Sequence, residues 1–304
     1  MNLALWAAAA SGVQVGATIV ASRHLVAELP PLTLALLRYA IAAACLLPLV
    51  WRSALDWPRA LRSPAAPGLW RDSLAVAALG IGQFAILIAL LNWGLQRVGA
   101  TQAALIFSLF PLLALLFSAL AGRDRPTALL LGGSLLSVAG VAVSLAPRLA
   151  AAGGFGNDWL GDLAVLASAA IGALCSVLYR PYLQRHPALP LSAYAMGVSA
   201  LFLALLAWPE NWPQRVAAMG TGTWTLVAFV GLSSAAAYAA WLYALKHETP
   251  ARVTVFLALN PPTAALLGAW LLGEPLDAWQ AAGMALVALG LAAATRRPAT
   301  IIGP

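Results

Sequence analysis

Apolar residues run along this chain in long stretches, and polar residues gather between them. A bilayer core of about 30 Å takes roughly 20 apolar residues per helix. Ten stretches meet that length: Leu3–Ala21, Leu32–Val50, Leu74–Leu95, Ala100–Ala121, Ala128–Ala146, Leu160–Tyr179, Leu191–Ala207, Trp224–Leu245, Val253–Leu272 and Leu276–Ala294. Charged or Pro/Gly-rich turns separate them, such as Glu28-Leu29-Pro30-Pro31 and Gly122-Arg123-Asp124-Arg125-Pro126. The longest connections are Trp51 to Ser73 and Pro147 to Trp159. The second carries Ala152-Gly153-Gly154-Phe155-Gly156-Asn157, a composition suited to a linker.

A repeat underlies the pattern. Shifting Ala100–Ala142 by 151 positions onto Ala251–Ala293 places Pro111 on Pro262, Gly122 on Gly273 and Gly132 on Gly283. Leucine and alanine matches are cheap here, but a proline and two glycines at one offset are not. The chain therefore divides into a first five-helix repeat (1–147), a linker (148–158), a second five-helix repeat (159–295) and a tail (296–304).

Loop cations give the expected orientation, because cytoplasmic loops carry the excess of Lys and Arg. With the amino terminus in the cytoplasm, that side holds Arg52, Arg59, Arg62, Arg71, Arg123, Arg125, Arg180, Arg185, Lys246, Arg252, Arg296 and Arg297. The other side holds Arg23, Arg97, Arg148 and Arg215, and Arg38 lies inside a span. Both termini are expected in the cytoplasm. Five spans per copy is odd, so the second copy sits upside down relative to the first. The expected fold is an all-α integral membrane protein of ten transmembrane helices in two inverted repeats. Secondary transporters commonly use this plan, with the substrate site near the midplane between the repeats.

Composition agrees. The chain has 304 residues, 62% hydrophobic and 9% charged, with mean hydropathy +0.87. Soluble domains carry about 25% charged residues. The net charge of +7 does not point to nucleic acid, because the basic residues are scattered over short loops. Cys45 and Cys175 both lie in apolar spans, so neither a disulfide nor a metal site is expected. Met1-Asn2-Leu3 offers no basic region before the first apolar run, which is expected to remain as a span. Arginine outnumbers lysine, and Lys246 is the only lysine. That usage fits a GC-rich bacterial genome and hence an inner membrane.

Polar groups inside spans are costly in lipid and tend to face a cavity or the bundle interior. They are few: Gln14, Thr18, Arg38, Gln83, Asn92, Gln102, Ser108, Ser233, Ser234, Tyr238, Trp241, Tyr243 and Asn260. Ser234, Tyr238 and Trp241 share one helix face by their spacing of four and three. That face offers a hydroxyl and ring faces to a flat or cationic solute, or else packs against a neighbouring helix. The Gln83 amide both donates and accepts, as a zwitterion requires. Gln14 and Thr18 join the candidate substrate contacts from the first span. Arg38 is a candidate partner for a substrate carboxylate, although snorkelling or pairing with backbone carbonyls is the favoured reading. Trp93 reads as an interface anchor.

Asn260 precedes Pro261 and Pro262, which remove two backbone donors. The carbonyls a turn earlier then face a ligand or neighbouring side chains, and Asn260 joins the substrate candidates. Pro111 poses the same question more weakly. All three prolines are candidate hinges or static kinks. The ninth span is expected to break before the fourth. Acidic residues all lie in loops or within a turn of a span end, so no mid-membrane carboxylate stands ready to carry a proton. Facilitated or exchange transport is thus favoured over coupling through His24, Lys246 or His247.

Three stretches resemble a known family: Val15-Gly16-Ala17-Thr18-Ile19-Val20-Ala21-Ser22-Arg23 with Leu29-Pro30-Pro31-Leu32-Thr33 and Leu37-Arg38-Tyr39; Ala100 to Gly122 with Phe110-Pro111; and Asn260-Pro261-Pro262 through Leu272-Gly273-Glu274-Pro275-Leu276 to Gly283. Their order and spacing resemble the drug/metabolite transporter superfamily, and within it the ten-helix EamA-type exporters. Aromatic amino acid exporters look closest. Val15 departs from the pattern, since the first helix there often has Trp. So does Arg123, where the first copy often has an acidic residue. The resemblance implies a basket of helices around a central cavity, with the fifth and tenth spans peripheral.

Small residues at four-residue spacing on those two spans (Gly133 and Ser137, Gly140 and Ser144, Gly290 and Ala294) allow close helix contact. Packing within a monomer is favoured over a dimer face. The expected function is export of small amphiphilic metabolites, amino acids including aromatic ones, by alternating access. Its partners are a small-molecule substrate and membrane lipid, with no cofactor. A multidrug carrier is the alternative. An intramembrane enzyme is disfavoured, because the three histidines (His24, His186, His247) are dispersed at span ends and no HExxH or paired aspartates occur.

Overall fold

The computed structural model describes residues 2–61, 69–122, 128–151, 159–273 and 277–295. The described residues form helices and turns, with no strand among them. In chain order the helices are α1 (Leu3–Leu25), α2 (Pro31–Leu61), α3 (Leu69–Gly80), α4 (Leu87–Leu95), α5 (Ala100–Phe107), α6 (Phe110–Leu120), α7 (Ala128–Ala151), α8 (Trp159–Arg185), α9 (Ala188–Leu206), α10 (Trp212–Ala218), α11 (Thr221–His247), α12 (Pro250–Thr254), α13 (Asn260–Leu272) and α14 (Ala278–Thr295). A π-helical turn, Ile81–Ile86, joins α3 to α4, and a 3-10 stretch, Val255–Leu259, joins α12 to α13.

Eight helical runs are long and apolar enough to cross a membrane, and two shorter apolar ones cover Leu131–Ser144 and Ala278–Gly290. This is a multi-pass membrane protein. Several helices outrun the expected spans. α2 continues through the expected connection to Leu61, and α8 continues past Pro181 to Arg185. An apolar-run criterion stops where charge begins, whereas a helix can carry its last turns into the headgroup region. The helix α10, between α9 and α11, was not expected at all. The expected tail, Arg123, Glu274 and most of the linker lie outside the described residues.

Lipid as solvent inverts the usual burial. Leu201 and Leu205 on α9, and Leu266 and Trp270 on α13, stand exposed at four-residue spacing as outward stripes. Buried positions hold Ser11, Thr18, Arg38, Asn92, Ser199 and Asn260. Many buried hydroxyls bond back to their own helix, as Ser199 does to the Ala195 carbonyl and Ser137 to that of Gly133. The helix ends are tied across sequence. The Glu210 carboxylate accepts from the Leu32 and Thr33 amides at 3.2 and 2.7 Å, capping the start of α2 from a distant loop. At the opposite end Arg185 and His186 meet Asp72 at 2.7 and 3.1 Å.

The small-residue faces of α7 and α14 meet each other. A side chain at Gly140 would lie 2.6 Å from the Gly283 carbonyl, and one at Gly290 2.5 Å from the Gly133 carbonyl. Backbone contact this close is what glycine permits. Among the described residues neither helix contributes a wall to the central cavity. Both free cysteines are singly placed, Cys175 buried and Cys45 exposed.

Candidate functional site

Six of the long runs converge on one central cavity of about 80 Å³. α1 supplies Ser11, Gln14, Val15, Thr18 and Ile19; α2 supplies Arg38 and Tyr39; the α3–α4 run supplies Gln83, Phe84, Leu87, Ile88 and Leu91; α11 supplies Ser234, Ala237, Tyr238 and Trp241. Phe107, Phe110 and Leu257 complete the wall.

Arg38 dominates its electrostatics. The side chain is only 6% exposed, so it does not snorkel to either surface. Its Nε donates to the Ser234 hydroxyl at 2.8 Å, and its Nη2 faces the Thr18 hydroxyl at 3.5 Å. The Tyr39 ring lies 5.5 Å from the guanidinium carbon. The favoured sequence reading for Arg38, snorkelling or carbonyl pairing, thus gives way to hydroxyl partners on a cavity wall. The reason is position: two turns inside the span, the side chain reaches α11 and α1 before it reaches water. Among the described residues no carboxylate lines the cavity. Hydroxyls orient a guanidinium but do not neutralise it, and an unpaired buried charge costs several kcal/mol.

Aromatic rings form much of the remaining wall. Phe84 packs edge-on against Tyr238 at 4.3 Å and tilts against Tyr39 at 4.8 Å. Phe110 meets Trp241 edge-on at 6.2 Å. Such tilted and edge-to-face pairs are favoured by the ring quadrupoles.

Gln83 and Phe84 reach this wall from the π-helical turn, where the Leu87 amide bonds the Gly82 carbonyl five residues back. The widened turn inserts one extra residue into an otherwise α-helical run, and such turns recur at functional sites. Two glycines hold it between neighbours. A side chain at Gly80 would lie 2.8 Å from the Ala195 carbonyl on α9, and one at Gly82 2.9 Å from Cys175 Sγ on α8.

Of the sequence candidates, the structure brings together Gln14, Thr18, Arg38, Gln83, Ser234, Tyr238 and Trp241 on this cavity. Gln14 donates to the Ser233 hydroxyl at 3.2 Å. Asn260 is elsewhere. It is fully buried beside the Gly16 backbone of α1, with both amide atoms unpartnered, and is not a cavity wall. Pro111 is the second residue of α6; Pro261 and Pro262 follow Asn260 at the start of α13. All three sit in the first turn of a helix, where a missing amide hydrogen is no loss. The fourth span is therefore broken as well as the ninth, at Ser108–Leu109 between α5 and α6. The ninth carries the longer irregular stretch.

Sequence reasoning passed over Tyr39, Phe84, Phe107 and Phe110. Tyr39, Phe84 and Phe110 are each next to a residue it did single out: Arg38, Gln83 and Pro111.

The fold and site define a multi-pass membrane protein with a polar-centred, aromatic-walled cavity among its helices. Comparison with known proteins gives the class: the EamA-like transporter family model matches residues 2–146 and 159–296. The chain belongs to that family. It is similar to a probable terminal-alkyne amino-acid exporter of Streptantibioticus cattleyicolor, 29% identical over 98% of this chain and 92% of the relative. It is also similar to an uncharacterized transporter of Archaeoglobus fulgidus, 28% identical over 75% and 79% of the two chains. A further likeness is to the uncharacterized transporter YyaM of Bacillus subtilis, 24% identical over 92% and 89%. One crystal structure, 24% identical, shares the fold with a TM-score of 0.72 over 95% of each chain.

Proposed function

We propose that this transporter exports small carboxylate-bearing amphiphiles, amino acids with apolar or aromatic side chains foremost, by alternating access across a bacterial inner membrane. The carrying observation is Arg38: a buried guanidinium on the cavity wall, held by hydroxyls and, among the described residues, facing no carboxylate. A substrate carboxylate supplies the missing counter-charge, with the planar fork of the guanidinium suited to both oxygens. The rings of Phe84, Tyr238 and Trp241 then receive the apolar part. The relative named a probable terminal-alkyne amino-acid exporter supports the same substrate class. The cavity in this conformation is smaller than an aromatic amino acid, so the walls part to admit one. The helix restarts at Pro111 and at Pro261 and Pro262 are the proposed hinges.

The architecture proposed is ten spans in two inverted repeats, with both termini cytoplasmic. The two stretches matched by the family model support that division. So does the backbone at the paired glycines, where Gly122 and Gly273, 151 positions apart, both take the left-handed conformation (φ 64° and 66°) that ends their helices.

A cationic multidrug carrier is disfavoured, because Arg38 repels a cation from the same cavity. The test is counterflow in proteoliposomes with labelled L-phenylalanine, challenged by unlabelled amino acids and by cationic dyes. Exchange without chemical change, displaced by amino acids and lost in Arg38→Gln, is expected. Displacement by dyes but not by amino acids overturns the substrate class, and conversion of the label to a product overturns transport.

A further inference from the structure

The second polar feature of the cavity is Gln83. It is 9% exposed and lines the cavity, and its Oε1 has no hydrogen-bond partner. A buried carbonyl oxygen without a donor is expensive to leave unmatched. The π-helical turn, moreover, is what places Gln83 and Phe84 together on the wall. Phe84 in turn packs on Tyr39, the neighbour of Arg38, and Gln83 and Arg38 line the same cavity.

We propose that Gln83 reads the substrate's α-ammonium group, so that the cavity selects zwitterionic amino acids over the corresponding amino-free carboxylic acids. The proposal rests on Arg38 holding the carboxylate and adds the second point of recognition. A zwitterion brings one group that needs a counter-charge and one that needs acceptors. No carboxylate among the described residues lines the cavity to take the ammonium. The neutral Oε1, unpartnered and closed off in this conformation, takes one of its hydrogens once the walls part. A neutral acceptor has an advantage over an aspartate here. It recognises the ammonium without pairing with Arg38 and closing the site in the absence of substrate.

The experiment is isothermal titration of the purified protein in lipid nanodiscs with three probes: L-phenylalanine, 3-phenylpropanoate, which lacks the amine, and phenethylamine, which lacks the carboxylate. Wild type is expected to bind L-phenylalanine at least about tenfold tighter than 3-phenylpropanoate, the scale of one hydrogen bond to a charged group. Gln83→Met is expected to remove that preference while leaving 3-phenylpropanoate affinity unchanged. Gln83→Glu, whose new carboxylate competes for Arg38, is expected to weaken 3-phenylpropanoate and strengthen phenethylamine. Wild type that binds the two acids equally overturns the role of Gln83 and leaves Arg38 standing. Wild type that binds phenethylamine as tightly as L-phenylalanine overturns the carboxylate reading beneath it. Equal loss of all three probes in both variants assigns Gln83 to packing.

Discussion

Arg38 is useful as well as costly. The residue is 6% exposed, and among the described residues its guanidinium meets two hydroxyls and a ring but no carboxylate, so the proposed anionic substrate supplies a counter-charge there. Arg38→Lys keeps the charge but loses the planar fork. It is expected to leave exchange measurable, with L-phenylalanine affinity about tenfold weaker, or roughly 1.4 kcal/mol; titration checks this. Trp241→Ala removes the ring that packs edge-on to Phe110, which should weaken L-phenylalanine more than L-alanine in the same assay. Equal loss for both amino acids sinks that assignment. Gln14, Thr18, Arg38, Gln83 and Ser234 were legible in the sequence because a polar group in an apolar span is an anomaly needing a reason. Tyr39, Phe84 and Phe110 were not, since a ring in a span looks the same facing lipid, a neighbour or a cavity. Asn260 shows the limit of the rule: the same anomaly signals a buried helix junction there, closed by Gly16.

Among the described residues, three irregularities interrupt the long helical runs. Prolines announce two of them, and both fall where a new helix begins, after Leu109 and after Leu259. The third, the π-helical turn at Ile81–Ile86, has no proline and was not legible. Its trace in the sequence is Gly80 and Gly82, which let α9 and α8 close on the turn, but glycine in a span signals close approach without naming its cause. The α7–α14 pair gives a prediction that separates scaffold from site. A side chain at Gly283 would collide with the Ser144 hydroxyl and lie 2.5 Å from the Gly140 carbonyl. Gly283→Leu should therefore lower the thermal midpoint by several degrees, on the scale of overpacking at about 1–3 kcal/mol. Because neither helix lines the cavity, L-phenylalanine affinity should stay within about twofold of wild type, roughly 0.4 kcal/mol. A lost affinity with an unchanged midpoint would mean that the pair belongs to the transport cycle rather than to the frame.

At the scale of the molecule, the apolar periodicity and the paired Pro and Gly made a bundle of membrane helices legible. The direction of each helix through the bilayer rests on loop cations alone. Labelling tests it directly. In a background with Cys45→Ser and Cys175→Ala, single cysteines replace exposed residues at Asn2, His24, Gln184, Gln214 and Ala278. The chain passes from Asn2 through α1 to His24 and from Gln184 through α9 to Gln214; α14 opens at Ala278. With cytoplasmic termini and ten crossings, a membrane-impermeant maleimide added to intact cells reaches positions 24, 214 and 278. Positions 2 and 184 react only after permeabilisation. The complementary pattern at all five positions would invert the protein but preserve the two-fold relation between its halves. Labelling of 278 from the same side as 2 would give an even number of crossings between them and the wrong parity for inverted repeats. Inversion makes α11 the counterpart of the α3–α4 run, so that Gln83 and Ser234, 151 positions apart, face one cavity from opposite halves. Rocking the halves about the proline restarts would then open that shared wall first to one side and then to the other, which is the geometric content of alternating access.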